Sequence, residues 1–146
     1  MKILVTGSSG FVGKNLTAAL ENIKNGKDRT RPGLHIEDVF YFDLETSPDE
    51  FEKYCKEADF VFNLAGVNRP EKTEDFLAGN FGFAEKLLKT LGKYSNFCPV
   101  MMSSSVHAAG DGDYGKSKKA GEDLFFEYSK KTGAPVFVYR FPNVVG

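Results

Sequence analysis

The chain has 146 residues, of which 41% are hydrophobic and 27% charged, and its formal net charge is −1. That is enough length and apolar content for one domain with its own core, and it excludes a strongly charged, disordered chain. The balanced charge gives no broad basic surface for nucleic acid or an acidic membrane, and no apolar run reaches the length of a membrane span. No signal sequence precedes the first apolar run, so a cytoplasmic protein is expected.

"KILV" at residues 2–5 is a short apolar run of the kind found in strands buried on both faces. Val12, Leu16, Ala19, Leu20 and Ile23 then recur at helical spacing. Residues 25–35 form a polar loop with breakers, and "DVFYFD" at 38–43 reads as the next strand. Ser47 followed by Pro48 predicts a capped helix to about Lys56. A third strand is expected over 59–66, "DFVFNLAG", and a longer helix over roughly 73–94 with Phe76, Asn80, Phe83, Ala84, Leu87, Leu88 and Leu91 as its stripe. A strand near 99–104, a helix over about 114–132 and a strand over 135–141 complete the order. Strict alternation of strand and helix implies a doubly wound, parallel α/β sheet of Rossmann type, because parallel neighbours need crossover connections. Ligands in that architecture bind beyond the carboxyl ends of the strands.

The first such end carries "TGSSGFVG", with Gly7, Gly10 and Gly13 at every third position. Glycine weakens helices and strands alike, so three of them need a reason. A tight strand-to-helix turn, open access to a helix N-terminus and close packing of helix on strand supply one. Bare N–H groups and the helix dipole then bind a diphosphate. The spacing is G-x-x-G-x-x-G rather than G-x-G-x-x-G, and the strand before and helix after give the context the motif needs. A tight turn with no ligand is the bland alternative.

"YGKSK" places Tyr114 and Lys118 four residues apart at the start of a helix, on one face. A free phenol titrates near pH ~10, too high for a good base at neutrality. A nearby ammonium and a helix N-terminus both favour the phenolate, so the pair suits proton transfer to or from a hydroxyl. Upstream, Ser103 and Ser105 in "SSS" end a strand, where a hydroxyl would orient a substrate oxygen. Cys55 and Cys98 stand outside any C-x-x-C and read as buried thiols; His35 and His107 are isolated, and no metal site is expected.

"TGSSGFVG", "NLAG", "SSS", "YGKSK" and "YRFPNVVG", in that order over almost the whole chain, resemble the extended short-chain dehydrogenase/reductase family of nucleotide-sugar epimerases, dehydratases and reductases. "NLAGVNRPE" and the compact "SSSVHAAGDGDYGKSKKAGE" are most similar to the bacterial capsular-polysaccharide reductases that act on UDP-linked amino sugars. The resemblance implies a pyrophosphate turn at Gly7, Gly10, Phe11, Val12 and Gly13. It implies a ribose-side segment at Leu64, Ala65 and Gly66, with Ser103 also by the cofactor, and a buried structural amide at Asn80. Ser105, Tyr114 and Lys118 match the catalytic serine, the acid/base and the lysine that binds the nicotinamide ribose. Asn68, Arg69, Arg140, Pro142 and Asn143 match substrate-side positions. The implied activity is NAD(P)-dependent reduction of a 4-keto UDP-amino sugar, with a homodimer formed through helices.

Three departures qualify what carries over. Eight residues separate Ser105 from Tyr114, so sugar specificity cannot be copied from the longer epimerases. Asp43 either ends the second strand, where its carboxylate would accept from the adenosine ribose and favour NAD, or belongs with Leu44 to a later element that contacts adenine. Arg29 and Arg31 would suit a 2′-phosphate, though a solvated loop is the better explanation of them. The family also continues well past this length, so residues 1–146 are expected to form the cofactor domain of a longer enzyme, stopping before most of the substrate pocket. An epimerase or dehydratase with tightly held NAD, and a non-catalytic dinucleotide sensor, are the alternatives.

Overall fold

A computed structural model describes residues 1–43, 45–65, 82–105, 108, 110 and 113–141, with residues 105, 113–115, 117 and 118 described by backbone alone. Its elements in chain order are β1 (Lys2–Thr6), α1 (Phe11–Lys24), β2 (Asp38–Phe42), α2 (Pro48–Glu57), β3 (Phe60–Asn63), α3 (Phe83–Lys93), β4 (Val100–Ser105), α4 (Asp113–Thr132) and β5 (Val136–Phe141). The strands form one sheet in the order β2-β1-β3-β4-β5, every neighbour parallel. The Rossmann-type architecture expected from strand–helix alternation is the one observed.

Pleating divides β1 between two cores. Ile3 and Val5 pack with Leu20 and Val39, and with the partly buried Leu16 and Ile23, beneath α1. Leu4 points the other way, into a larger cluster with Phe51, Cys55, Leu87, Leu91, Val100, Met102 and Phe125 from α2, α3, β4 and α4. Among the described residues one helix therefore covers one face and three cover the other. Right-handed crossovers explain the imbalance: β1 to β2 steps one way along the sheet, and each later step runs back the other way. The reversal lies at β1, between β2 and β3, and opens a crevice there.

Several boundaries differ from the sequence expectation, for physical reasons. β3 stops at Asn63 rather than near Gly66: Leu64 N still bonds Thr6 O, the last residue of β1, and Ala65 N then turns to the Thr6 side chain instead of to a backbone carbonyl. In α1 Ala19 is exposed and Gly13 is buried, since a glycine packs without registering as apolar. In α4 Phe125 and Tyr128 are buried whereas Phe126 is exposed. Of the long third helix Phe83–Lys93 is seen, and its expected earlier positions, Phe76 and Asn80, lie outside the described residues. The Ser47 cap is as expected: its hydroxyl accepts from Glu50 N at 3.2 Å, with Pro48 in the first turn.

Candidate functional site

Because all five strands run parallel, Thr6, Phe42, Asn63, Ser105 and Phe141 end at one edge of the sheet. The described candidates gather along that edge. Gly7 leaves β1 with φ +71, a left-handed conformation that disfavours any side chain, and its N–H donates to Phe42 O at 3.1 Å. A Cβ on Gly7 would lie 2.7 Å from Ala65 N and from Leu64 C. On Gly13 it would lie 2.1 Å from Gly7 O. The turn, the first turn of α1 and the end of β3 are thus in backbone contact. Gly10 differs: among the described residues its added Cβ would meet Gly7 O at 3.5 Å and nothing closer, so a side chain there is not obstructed by the turn.

Among the described residues that helix start is bare: Gly10 is the N-cap, no described side chain caps it, and no acid stands in the first turn. The first intrahelical bond is Lys14 N to Gly10 O at 2.9 Å, so the amides of Phe11, Val12 and Gly13 precede the ladder and point their donors out of the helix end. Phe11 is exposed and Val12 half-buried. The glycine spacing, the uncapped amides and the dipole fit a diphosphate, the central group of a dinucleotide.

Thr6 and Asn63, which open two of the quoted motifs but carry no role in the sequence reading, tie the ends of β1 and β3 together. Both are buried. Thr6 Oγ1 donates to Asn63 Oδ1 at 2.6 Å and accepts from Ala65 N at 3.3 Å, and Leu64 N donates to Thr6 O at 3.1 Å. A hydroxyl and an amide at the matched ends of two neighbouring strands were the signal to look for. Asp43 follows β2, the strand directly beside β1, so topology favours its reading as the end of the second strand. One of its carboxylate oxygens accepts from Glu45 N at 2.9 Å. Arg29 and Arg31 sit in an exposed loop, each bonded to a near neighbour in sequence, Gly26 and Thr30.

At the other end of the edge, Ser103 and Ser105 pair with Tyr139 and Phe141 of β5. Tyr114 and Lys118 fall in the first two turns of α4, which follows β4 and so starts from this same edge. Arg140, expected at the substrate side, forks onto Glu122 of α4, with Nε and Nη2 donating at 2.8 Å each. Glu122 also accepts from the Ser104 hydroxyl at 2.6 Å. Burial pushes the Glu122 carboxyl up, but Arg140 and Ser104 outweigh it and hold the group below the usual glutamate range. Leu44, Gly66, Asn68, Arg69, Asn80, Pro142 and Asn143 lie outside the described residues. No three His, Cys, Asp or Glu among the described residues gather closely enough to hold a metal ion.

Residues 3–146 match the NAD dependent epimerase/dehydratase family. The chain belongs to that family. A UDP-2-acetamido-2,6-beta-L-arabino-hexul-4-ose reductase of Pseudomonas aeruginosa is 38% identical over 146 residues, which are 100% of this chain and 36% of the relative. The capsular polysaccharide assembling protein CapF of Staphylococcus aureus superposes with a TM-score of 0.79 at 37% identity, over 100% of this chain and 37% of its own. A UDP-glucuronic acid 4-epimerase of Bacillus cereus, solved with NAD, gives a TM-score of 0.76 over 100% of this chain and 58% of its own; at 22% identity it speaks for the fold alone. The chain thus spans little more than a third of the length of the reductase and of CapF.

Proposed function

We propose that this chain is the cofactor-binding part of an NAD(P)-dependent oxidoreductase that reduces the 4-keto group of a UDP-linked amino sugar for surface-polysaccharide synthesis. The observation that carries the reading is the start of α1, uncapped among the described residues, with Gly13 in backbone contact with Gly7 and no described atom closer than 3.5 Å to a Cβ on Gly10. Membership in an NAD dependent family and 38% identity to a hexul-4-ose reductase support the reaction class. The nicotinamide dinucleotide, when bound, supplies the hydride.

The chain's own residues do the rest. The amides of Phe11, Val12 and Gly13 hold the diphosphate. Leu64 and Ala65 line the ribose side, and the Asp43 carboxylate accepts from the adenosine ribose, which favours NAD over NADP. Tyr114 gives its phenolic proton to the substrate oxygen as charge develops there, and the Ser105 hydroxyl donates to the same atom. The Lys118 ammonium holds the ribose and favours the phenolate that remains. Asn68, Arg69, Pro142 and Asn143 begin the sugar-nucleotide side, most of which belongs to the part of the relatives beyond this chain's span, while the Arg140 guanidinium is engaged by Glu122. Exposed Phe126 on α4 supports a homodimer paired through helices. No described helix is long and apolar enough to cross a membrane, and the reading is of a cytoplasmic enzyme.

Titration of the chain with NADH and with NADPH tests the first half: saturable binding, tighter for NADH, is expected, and absence of binding to either overturns the reading. Turnover of a 4-keto UDP-sugar by the whole enzyme tests the second. Tyr114→Phe should cut kcat by at least about a hundredfold and leave dinucleotide affinity unchanged. Steady consumption of NADH separates a reductase from an epimerase, which returns its hydride.

A further inference from the structure

Glu122 is 1% exposed, yet it is charged and fully partnered. One carboxylate oxygen accepts from Ser104 Oγ and from Arg140 Nε, and the other from Arg140 Nη2. Ser104 and Arg140 are themselves opposite one another in the β4–β5 register. A single carboxylate therefore ties one helix to two adjacent strands through a planar, two-pronged ion pair and a hydroxyl.

Stability alone is a poor reason for such a cluster, because apolar side chains of similar volume often do as well as a buried ion pair. Directionality is what it adds. Phe125 and Tyr128 hold α4 against the sheet, but apolar burial is non-directional and tolerates sliding and rotation. Three bonds with fixed geometry do not. Positions 114, 118 and 122 follow at intervals of four along one side of α4, so the anchored residue stands about two turns beyond position 114. On the strand, the anchoring Ser104 immediately precedes Ser105.

We propose that Glu122 is a positioning residue: clamped by Ser104 and Arg140, it sets the height and rotation of α4 over β4 and β5, and so holds position 114 in register with position 105. The functional meaning of this clamp rests on the catalytic reading above; the clamp itself is measurable without turnover.

The chain has six tyrosines, and 3-fluorotyrosine labelling gives each a 19F resonance, with Tyr114→Phe identifying the one at 114. Ser104→Ala removes one hydroxyl, and Glu122→Gln removes the charge while keeping the shape. Both are expected to shift or broaden the resonance at 114 while those of Tyr41 and Tyr94, over by α1 and α2, stay in place; Ser104→Thr should restore the parent line. An unmoved resonance at 114 in Ser104→Ala and in every folded Glu122→Gln sample overturns the proposal, and Ser104→Ala decides alone if Glu122→Gln does not fold. In the whole enzyme the same variants should lower kcat about tenfold or more, with KM for the dinucleotide unchanged. Parent-like kcat in both variants, in an enzyme that Tyr114→Phe inactivates, overturns the clamp. Parent-like kcat in Tyr114→Phe instead sinks the catalytic reading and leaves the resonance test standing.

Discussion

Ser47 accepts from Glu50 N, Pro48 occupies the first turn, and Asp49 and Glu50 place negative charge beside the positive end of α2. At the start of α1 the same positions hold Gly10, Phe11, Val12 and Gly13, with neither cap nor acid. A glycine in place of a capping side chain costs roughly a few tenths of a kcal/mol, and a glycine inside a helix costs about 1 kcal/mol. α1 is held by other means. Leu16, Leu20 and Ile23 pack on β1 and β2, and the Tyr41 hydroxyl bonds Glu21 far from the helix start. Burial first, and Glu21 second, push the Tyr41 phenol up to about 12, so that bond keeps its proton at neutral pH. One helix completes its own N-terminus. The other leaves its donors without a described side-chain partner, which is what the proposed diphosphate site needs.

The most severe way to break the comparison is Gly13→Ala. Alanine inside a helix normally gains about 1 kcal/mol over glycine. At position 13 the sign should reverse, because the new Cβ would stand 2.1 Å from a carbonyl oxygen that belongs to the turn itself. A loss of about 3 kcal/mol in urea denaturation is expected, together with loss of NADH binding. Gly92→Ala in α3 is the control, since its Cβ meets nothing within 4 Å. It should be neutral or stabilising by up to about 1 kcal/mol, with binding unchanged. A stable, binding-competent Gly13→Ala would mean that α1 is not docked as described.

A second prediction contrasts the uncapped helix start with the buried charge at Glu122. The Glu122 carboxyl is held below its ordinary 4.5 in the folded chain, burial raising it and Arg140 and Ser104 lowering it further. Its contribution is complete above that ordinary value and is lost as pH falls through the lower folded value. Glu122→Gln should therefore be less stable than the parent at pH ~7, and the gap should narrow steadily on acidification below pH ~4.5. Urea midpoints at the two ends of that range check it, and a gap that widens in acid would contradict the ion pair.

Local features were legible from the residues alone, and long-range polar pairs were not. The Ser47-Pro48 cap and the glycine turn are written in adjacent residues, and both stand where they were expected. Alternating strand and helix patterns carried the sheet class. Thr6 and Asn63 lie far apart in the chain, as do Ser104, Glu122 and Arg140; each looks ordinary until the parallel register brings the partners together. The close packing read for Gly13 is there, but that its nearest neighbour is the Gly7 carbonyl belongs to the tertiary fold. Asp43 has two readings in one dimension, and only the fold shows that it follows a strand lying next to β1.

Smaller effects sharpen the contrast between the two helix starts. Ser47→Ala should cost about 1 kcal/mol and leave dinucleotide affinity alone, since α2 completes itself for stability. Urea denaturation and an NADH titration read both quantities.

Gly10→Asp is the reverse experiment, and its effect on stability should be the smallest. Gly10 has φ −76 and ψ 174, ordinary extended backbone for any residue, and its Cβ would meet Gly7 O at 3.5 Å, so aspartate fits without strain. The carboxylate would accept from the bare amides and face the positive end of the dipole, a gain of about 0.5 kcal/mol. The same carboxylate would occupy the donors a diphosphate uses and repel it, so NADH affinity should fall about tenfold or more, equivalent to about 1.4 kcal/mol. Stability and affinity are thus expected to move in opposite directions at one atom's distance from the backbone. If the variant gained stability and bound NADH as tightly as the parent, the diphosphate would not sit at the start of α1, and the open donors there would need another owner.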